Sequence, residues 1–187
     1  TKTALVTGAA GFIGSQLARA LLKRGFVVYG GDNFITGRRE NIAPLLANPK
    51  FNFFELDIVN PAFLETFSKI PVGEIYHLAC PTGVPNIARL GEEMMLASAI
   101  GTRHVLELAR KHSARIIFTS SSEIYGEAEI TPQQELYCGN VNPCGPRSAY
   151  EEGKRFAEAL VTLYVRKYGL DADIARLFNT YGPGMSP

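Results

Sequence analysis

Three features of the sequence predict an α/β fold, a doubly wound parallel sheet with helices on both faces. Short apolar runs of strand length alternate with longer runs of helical period along nearly the whole chain. A glycine-rich turn, Gly8-Ala9-Ala10-Gly11-Phe12-Ile13-Gly14, joins the first strand-like run to the first helical one. No internal repeat, low-complexity tract or linker interrupts this alternation.

The elements follow in order. Thr3 to Thr7 is short and apolar and predicts the first strand; Phe12 to Arg24 has helical spacing and stops at Gly25. Phe26 to Gly31, Phe51 to Leu56 and Glu74 to Ala79 predict strands two to four. A long helix is expected from about Glu92 to Lys111, and a fifth strand from Ala114 to Ser120. Ser148 and Glu151 have capping-box spacing, which predicts a helix with Tyr150 in its first turn, reaching about Tyr168. Asp173 to Phe178 predicts a sixth strand. The residues between Gly126 and Arg147, rich in Pro, Gln, Asn and Gly, read as a long functional loop. Loops at the carboxyl ends of such strands are where doubly wound sheets bind ligands.

Composition bounds the function. The chain has 187 residues, enough for one domain, and its 19 basic and 18 acidic side chains nearly cancel. No broad field for nucleic acid or an anionic membrane follows from that balance. No apolar stretch approaches a membrane span, and the N-terminus lacks a signal-peptide pattern. Cys80, Cys138 and Cys144 are odd in number and unpaired in spacing, which suits a reducing, cytoplasmic setting. No metal site is expected, since His77, His104 and His112 have no ligand partners at useful spacing. His77 reads as a core or cofactor-wall residue, His104 and His112 as helix surface, and Met94 and Met95 as core fill.

Within the glycine turn, Gly8 permits a tight bend, Gly11 lets backbone amides approach a pyrophosphate, and Gly14 allows close helix packing. Asp32 ends the second strand, where a carboxylate accepts hydrogen bonds from an adenosine ribose and repels an extra phosphate. NAD is therefore expected over NADP. Asp57 ends the third strand and either faces the adenine or makes a turn. Tyr150 and Lys154 are four residues apart, so phenol and ammonium share a helix face. A nearby cation favours phenolate, which supplies a base for taking a proton while hydride leaves a carbinol. Ser121, at the end of the fifth strand, can bind the substrate oxygen beside that phenol. Each feature alone has an ordinary explanation; their order along a parallel sheet joins them.

From Thr3 to Met185 the chain resembles the extended short-chain dehydrogenase/reductases that act on nucleotide sugars, and most closely the UDP-glucuronate decarboxylase (UDP-xylose synthase) family. The resemblance rests on Asp32-Asn33-Phe34-Ile35-Thr36-Gly37-Arg38, His77-Leu78-Ala79-Cys80-Pro81, Ser122-Glu123-Ile124-Tyr125-Gly126 and Arg176-Leu177-Phe178-Asn179-Thr180-Tyr181-Gly182-Pro183. Its most restrictive block is Val141-Asn142-Pro143-Cys144-Gly145-Pro146-Arg147, followed by Tyr150-Glu151-Glu152-Gly153-Lys154-Arg155.

The resemblance implies a Rossmann-type NAD-binding domain and a UDP-sugar substrate. It implies Tyr150 as catalytic acid/base, Lys154 as its partner on the nicotinamide ribose, and Ser121 and Glu123 as further catalytic groups. Cofactor contacts are implied for Gly8, Gly11, Phe12, Ile13, Gly14, Asp32, Asn33, Thr36, Gly37, Asp57, Ile58, Leu78, Ala79, Cys80 and Thr180, in addition to Tyr150 and Lys154. Substrate contacts are implied for Ser121, Tyr150 and Asn179, the last with the diphosphate. Thr82-Gly83-Val84-Pro85 and Ser98 depart from the family pattern of Ala-Ser-Pro and Asn. The substrate-closing part and the family's carboxylate-binding arginine are expected beyond Pro187. A homodimer through the long helix and the Tyr150-bearing helix is also implied.

Three activities share the first oxidation: decarboxylation of UDP-glucuronate through a 4-keto sugar, 4-epimerisation and 4,6-dehydration. Ser121-Ser122-Glu123 separates them, since by resemblance a dehydratase shows Asp before the Glu and an epimerase usually lacks the Glu. The remaining alternative is a catalytically silent NAD-binding fragment.

Overall fold

Six parallel strands form one sheet in the order β3-β2-β1-β4-β5-β6 in the computed structural model, which describes residues 2–185. The strands are β1 (Thr3–Thr7), β2 (Val27–Asp32), β3 (Phe51–Glu55), β4 (Glu74–His77), β5 (Arg115–Ser121) and β6 (Ala172–Leu177). The helices are α1 (Phe12–Lys23), α2 (Arg39–Ile42), α3 (Pro61–Phe67), α4 (Val84–Ile87), α5 (Gly91–Leu96), α6 (Thr102–His112) and α7 (Ser148–Tyr168). The order reverses between β1 and β4, the switch point at which such sheets open a ligand crevice.

Successive strand residues point to opposite faces, so each strand feeds two cores. Leu5, Ile75, Ile116 and Phe118 pack with Phe63, Phe67, Leu106, Leu108 and Val161 of α3, α6 and α7. Ala4, Val6 and Val28 pack with Ala18, Leu21, Ile42 and Leu45 on the α1–α2 side. Burying one such aliphatic or aromatic side chain contributes about 1.5–3 kcal/mol, offset by the entropy of ordering the chain. The apolar runs of the sequence are explained by this two-sided burial.

Four expectations need correction. The long helix is present from Gly91 to His112, but its middle, Ala97–Gly101, is wound as a π-helix. A Cβ on Gly101 would lie 2.4 Å from Ile58 Cδ1, so only glycine lets this stretch lie against the loop after β3. The capping box does not form: Arg147 is the N-cap residue of α7 and no side chain caps it. The Ser148 amide instead donates to Gly145 O at 3.1 Å, and Glu151 is drawn to the Arg147 guanidinium. Met94 is core, but Met95, on the outward face of α5, is 51% exposed. His104 and His112 are partly buried, tying α6 to the carbonyls of Ile58 and Phe67.

Candidate active site

The glycine turn is built by close approach. Gly8 has φ +72° and its amide donates to Gly31 O at 2.8 Å, bringing β1 against the end of β2. A Cβ on Gly14 would lie 2.0 Å from Gly8 O, so the first turn of α1 sits on the strand end only because no side chain intervenes. The N-cap of α1 is Gly11, without a side-chain cap and with no acidic residue in the first turn. The amides at Gly11, Phe12 and Ile13 are at the positive end of a twelve-residue helix, the electrostatic setting for a pyrophosphate.

Asp32 is 8% exposed at the end of β2. Its Oδ2 accepts from Ala10 N at 2.9 Å and its Oδ1 from Phe34 N at 2.8 Å. Burial pushes its pKa above the usual carboxylate range, opposed by these backbone donors. Gly37 belongs to the same cluster, since a Cβ there would stand 2.7 Å from Asp32 Oδ1. Asn33 donates from Nδ2 to Asp57 Oδ2 at 2.8 Å, while Asp57 Oδ1 accepts from Val59 N at 2.8 Å. Asp57 thus makes the turn and also meets Asn33 from the neighbouring strand end. Ile58 and the exposed Thr36 flank this region.

The far wall is the end of β4. His77 is fully buried between Thr7 and Thr102, with Nδ1 2.8 Å from Thr7 Oγ1 and Nε2 3.1 Å from Thr102 Oγ1. Thr7 Oγ1 also accepts from the amides of Leu78 and Ala79 at 3.1 and 3.2 Å. The connected pattern requires His77 to accept at Nδ1 and donate at Nε2, with Thr102 passing its proton to Ala97 O at 3.4 Å. Burial lowers the His77 pKa to about 3, helped by the Lys154 charge, so the ring is neutral. His77 is a structural relay that shapes the Leu78-Ala79 wall.

Tyr150 lies in the first turn of α7, as the sequence predicts. Although partly exposed, its phenol is pushed up to about 12, mainly by burial and next by the Cys80 thiol, while a Ser121 hydrogen bond opposes both. Burial thus works against the phenolate that a neighbouring ammonium is expected to favour. Lys154 Nζ donates to Thr119 O at 2.9 Å and stands 5.9 Å from the Tyr150 ring centre and 5.0 Å from that of Phe118. Its charge is therefore directed at the β5 backbone. Cys80 Sγ is 3.9 Å from Ser98 Oγ, and a Cβ on Gly153 would be 3.0 Å from that hydroxyl. The departure at Ser98 thus sits against the thiol beside Tyr150.

Ser121 Oγ accepts from Glu123 N at 3.2 Å and so orders the short 3₁₀ turn Ser122–Tyr125. The Glu123 carboxylate pairs with Arg147 Nη2, and Arg147 Nε reaches Glu151 Oε1 at 3.3 Å. The sequence showed no role for Arg147 beyond membership of a motif; a basic residue three positions before Tyr150 was the available signal. Asn179 and Thr180 follow β6, whose Leu177 pairs in register with Ser121. Both are exposed, and the Thr180 hydroxyl donates to Phe178 O at 2.9 Å. The segment then crosses to α1, where Gln16 Nε2 donates to Pro183 O at 3.1 Å. The predicted residues therefore gather at the carboxyl ends of all six strands, from the turn after β3 to the segment after β6, and in the first turns of α7.

A family model described as GDP-mannose 4,6 dehydratase matches residues 5–187. The chain belongs to that family. UDP-glucuronic acid decarboxylase 1 of Arabidopsis thaliana is 46% identical over 97% of this chain and 40% of its own length. UDP-glucuronic acid decarboxylase 1 of Xenopus tropicalis is 41% identical over 98% of this chain and 42% of its own length. The chain thus spans about two fifths of these curated relatives. Among solved structures, a UDP-glucuronic acid 4-epimerase from Bacillus cereus in complex with NAD aligns with TM-score 0.83 and 31% identity, over 99% of this chain and 59% of that one. An epimerase from Methanothermobacter thermautotrophicus aligns with TM-score 0.89 and 29% identity, over all of this chain and 54% of that one. The Rossmann-type fold and the resemblance to extended short-chain dehydrogenase/reductases both hold.

Proposed function

We propose that this chain is the NAD-binding and catalytic-base-bearing domain of an enzyme that decarboxylates UDP-glucuronate to UDP-xylose through a 4-keto sugar. The observation that carries this reading is the juxtaposition of Ser121, Glu123 and Tyr150, with Glu123 clasped by Arg147. The decarboxylases at 41 and 46% identity support it.

The glycine turn fits a dinucleotide, since Gly8, Gly14 and Gly37 stand where side chains would block close backbone approach. Gly11, Phe12 and Ile13 would hold the pyrophosphate, and Asp32 the adenosine ribose. Asn33, Thr36, Gly37, Asp57 and Ile58 would line the adenosine end, and Leu78, Ala79, Cys80, Lys154 and Thr180 the nicotinamide end. When bound, NAD supplies hydride acceptance and return at the sugar's carbon 4.

Tyr150 would take the proton of the 4-hydroxyl, with the Ser121 hydroxyl binding the same oxygen. The Ser121 hydrogen bond favours phenolate against the opposing effect of burial. The ketone at carbon 4 lies beta to the carboxylate, so carbon dioxide can leave with its electron pair delocalised into that carbonyl. Glu123 would position the ring or an ordered water for this loss and for protonation at carbon 5. Asn179 would meet the diphosphate.

The Bacillus cereus epimerase likeness favours one second reading, 4-epimerisation. Incubation of the catalytically competent protein with UDP-glucuronate and NAD separates the two. Carbon dioxide and UDP-xylose are expected; a 4-epimer without carbon dioxide would replace the reading.

A homodimer fits the outward faces of α5 and α7, where Met95, Phe156 and Leu163 are about half exposed. The three free cysteines suit a cytoplasmic setting. No helix among the described residues is long and apolar enough to cross a membrane.

A further inference from the structure

We propose that Arg147 is a positioning residue, which fixes the Glu123 carboxylate beside Tyr150 while Glu151 holds the guanidinium at its Nε. This inference rests on the decarboxylase reading. Arg147 Nη2 donates to Glu123 Oε2, and Nε lies 3.3 Å from Glu151 Oε1. One planar fork thus spans two carboxylates, a geometry that a lysine cannot copy with its single ammonium. Glu151 is buried, whereas Arg147 and Glu123 are partly open to the cleft.

The surroundings hold this bridge in place. Arg147 ends the long segment that starts at Gly126, and Glu123 lies just before that segment. Arg155 ties the two together, donating from Nη1 to Ile124 O at 3.0 Å and to Cys138 O at 2.6 Å. Asn140 adds a second tie through its amide to Tyr125 O at 2.9 Å, and its carbonyl accepts from Glu127 N at 2.9 Å. Gly126, at φ +58°, permits this approach, since a Cβ there would stand 2.2 Å from Asn140 O. The restrictive block around residues 141–155 is then explained in part: it carries the cation, its backing carboxylate and the anchor of the loop.

A partly exposed ion pair contributes little to folding stability. Its consequence lies in where it puts the carboxylate. An orienting contact displaced by about 1 Å can cost ~100-fold in rate.

The test is a kinetic cycle on the catalytically competent protein with UDP-glucuronate and NAD. Arg147→Gln should lower kcat by about 30- to 100-fold with KM changed less than about threefold. Arg147→Lys should recover roughly tenfold of that, because charge is kept but the double span is lost. Glu151→Gln should give a smaller kcat loss. In a Glu123→Gln background neither change should slow the enzyme further by more than about twofold, since residues acting through one another are not additive. NAD affinity measured by calorimetry should stay within about twofold, which shows that the variants are folded. A loss carried by KM, or losses that multiply in the double variants, would overturn the positioning role while leaving the decarboxylase reading intact. A wild type that releases no carbon dioxide would overturn both.

Discussion

Asp32 Oδ2 accepts the amide hydrogen of Ala10 at 2.9 Å, so the carboxylate proposed to meet the adenosine ribose also holds the glycine turn closed. Asp32→Ala should therefore act twice. Loss of charged hydrogen bonds, about 1.5–3 kcal/mol, should weaken NAD binding roughly 10- to 150-fold and also lower the unfolding midpoint. Calorimetry with NAD and NADP on both proteins checks the placement. NADP binding to wild type as tightly as NAD would contradict it.

Tyr150→Phe removes the phenol hydroxyl and nothing else. General acid–base groups contribute about 100- to 10,000-fold, so turnover should fall by that factor while NAD affinity and thermal stability stay close to wild type. Retention of turnover within about threefold would remove Tyr150 from the chemistry.

Glu123→Gln keeps the shape of the side chain but deletes its charge, and Arg147 loses its ionic partner. Oxidation at carbon 4 should survive, and carbon dioxide release should slow by about 100-fold. Rapid mixing with UDP-glucuronate, following NADH absorbance and carbon dioxide separately, should show NADH or a 4-keto sugar accumulating. Unchanged release would make Glu123 a bystander.

His77 should make folding sensitive to acid. Its pKa is about 3 in the fold and about 6.5 when unfolded, so between these values the unfolded chain binds the extra proton. The neutral ring's contribution is fully present above about pH 6.5 and is lost as pH falls, by roughly 1.4 kcal/mol per unit. Urea unfolding at pH 7 and pH 5 should show this loss. His77→Gln should be less stable at pH 7 yet lose less between the two pH values. An equal decline in both proteins would place the acid sensitivity elsewhere.

Six strands, the glycine turn, and Tyr150 and Lys154 on one face were legible in the sequence because each depends on neighbours a few residues away. Period-two burial, a turn that admits only glycine, and four-residue helical spacing all leave local signatures. The place of Asp32 at the end of β2 was legible for a related reason, whereas its hold on the Ala10 amide was not. Partner choice over long separations left no such mark. Lys154 donates to Thr119, Glu123 pairs with Arg147, and His77 bridges Thr7 and Thr102. These are contacts between elements that only packing brings together. The Tyr150 phenol illustrates the physical reason: spacing placed an ammonium on its helix face, but burial and the aim of that ammonium decide which protonation state is favoured, and both belong to the tertiary structure.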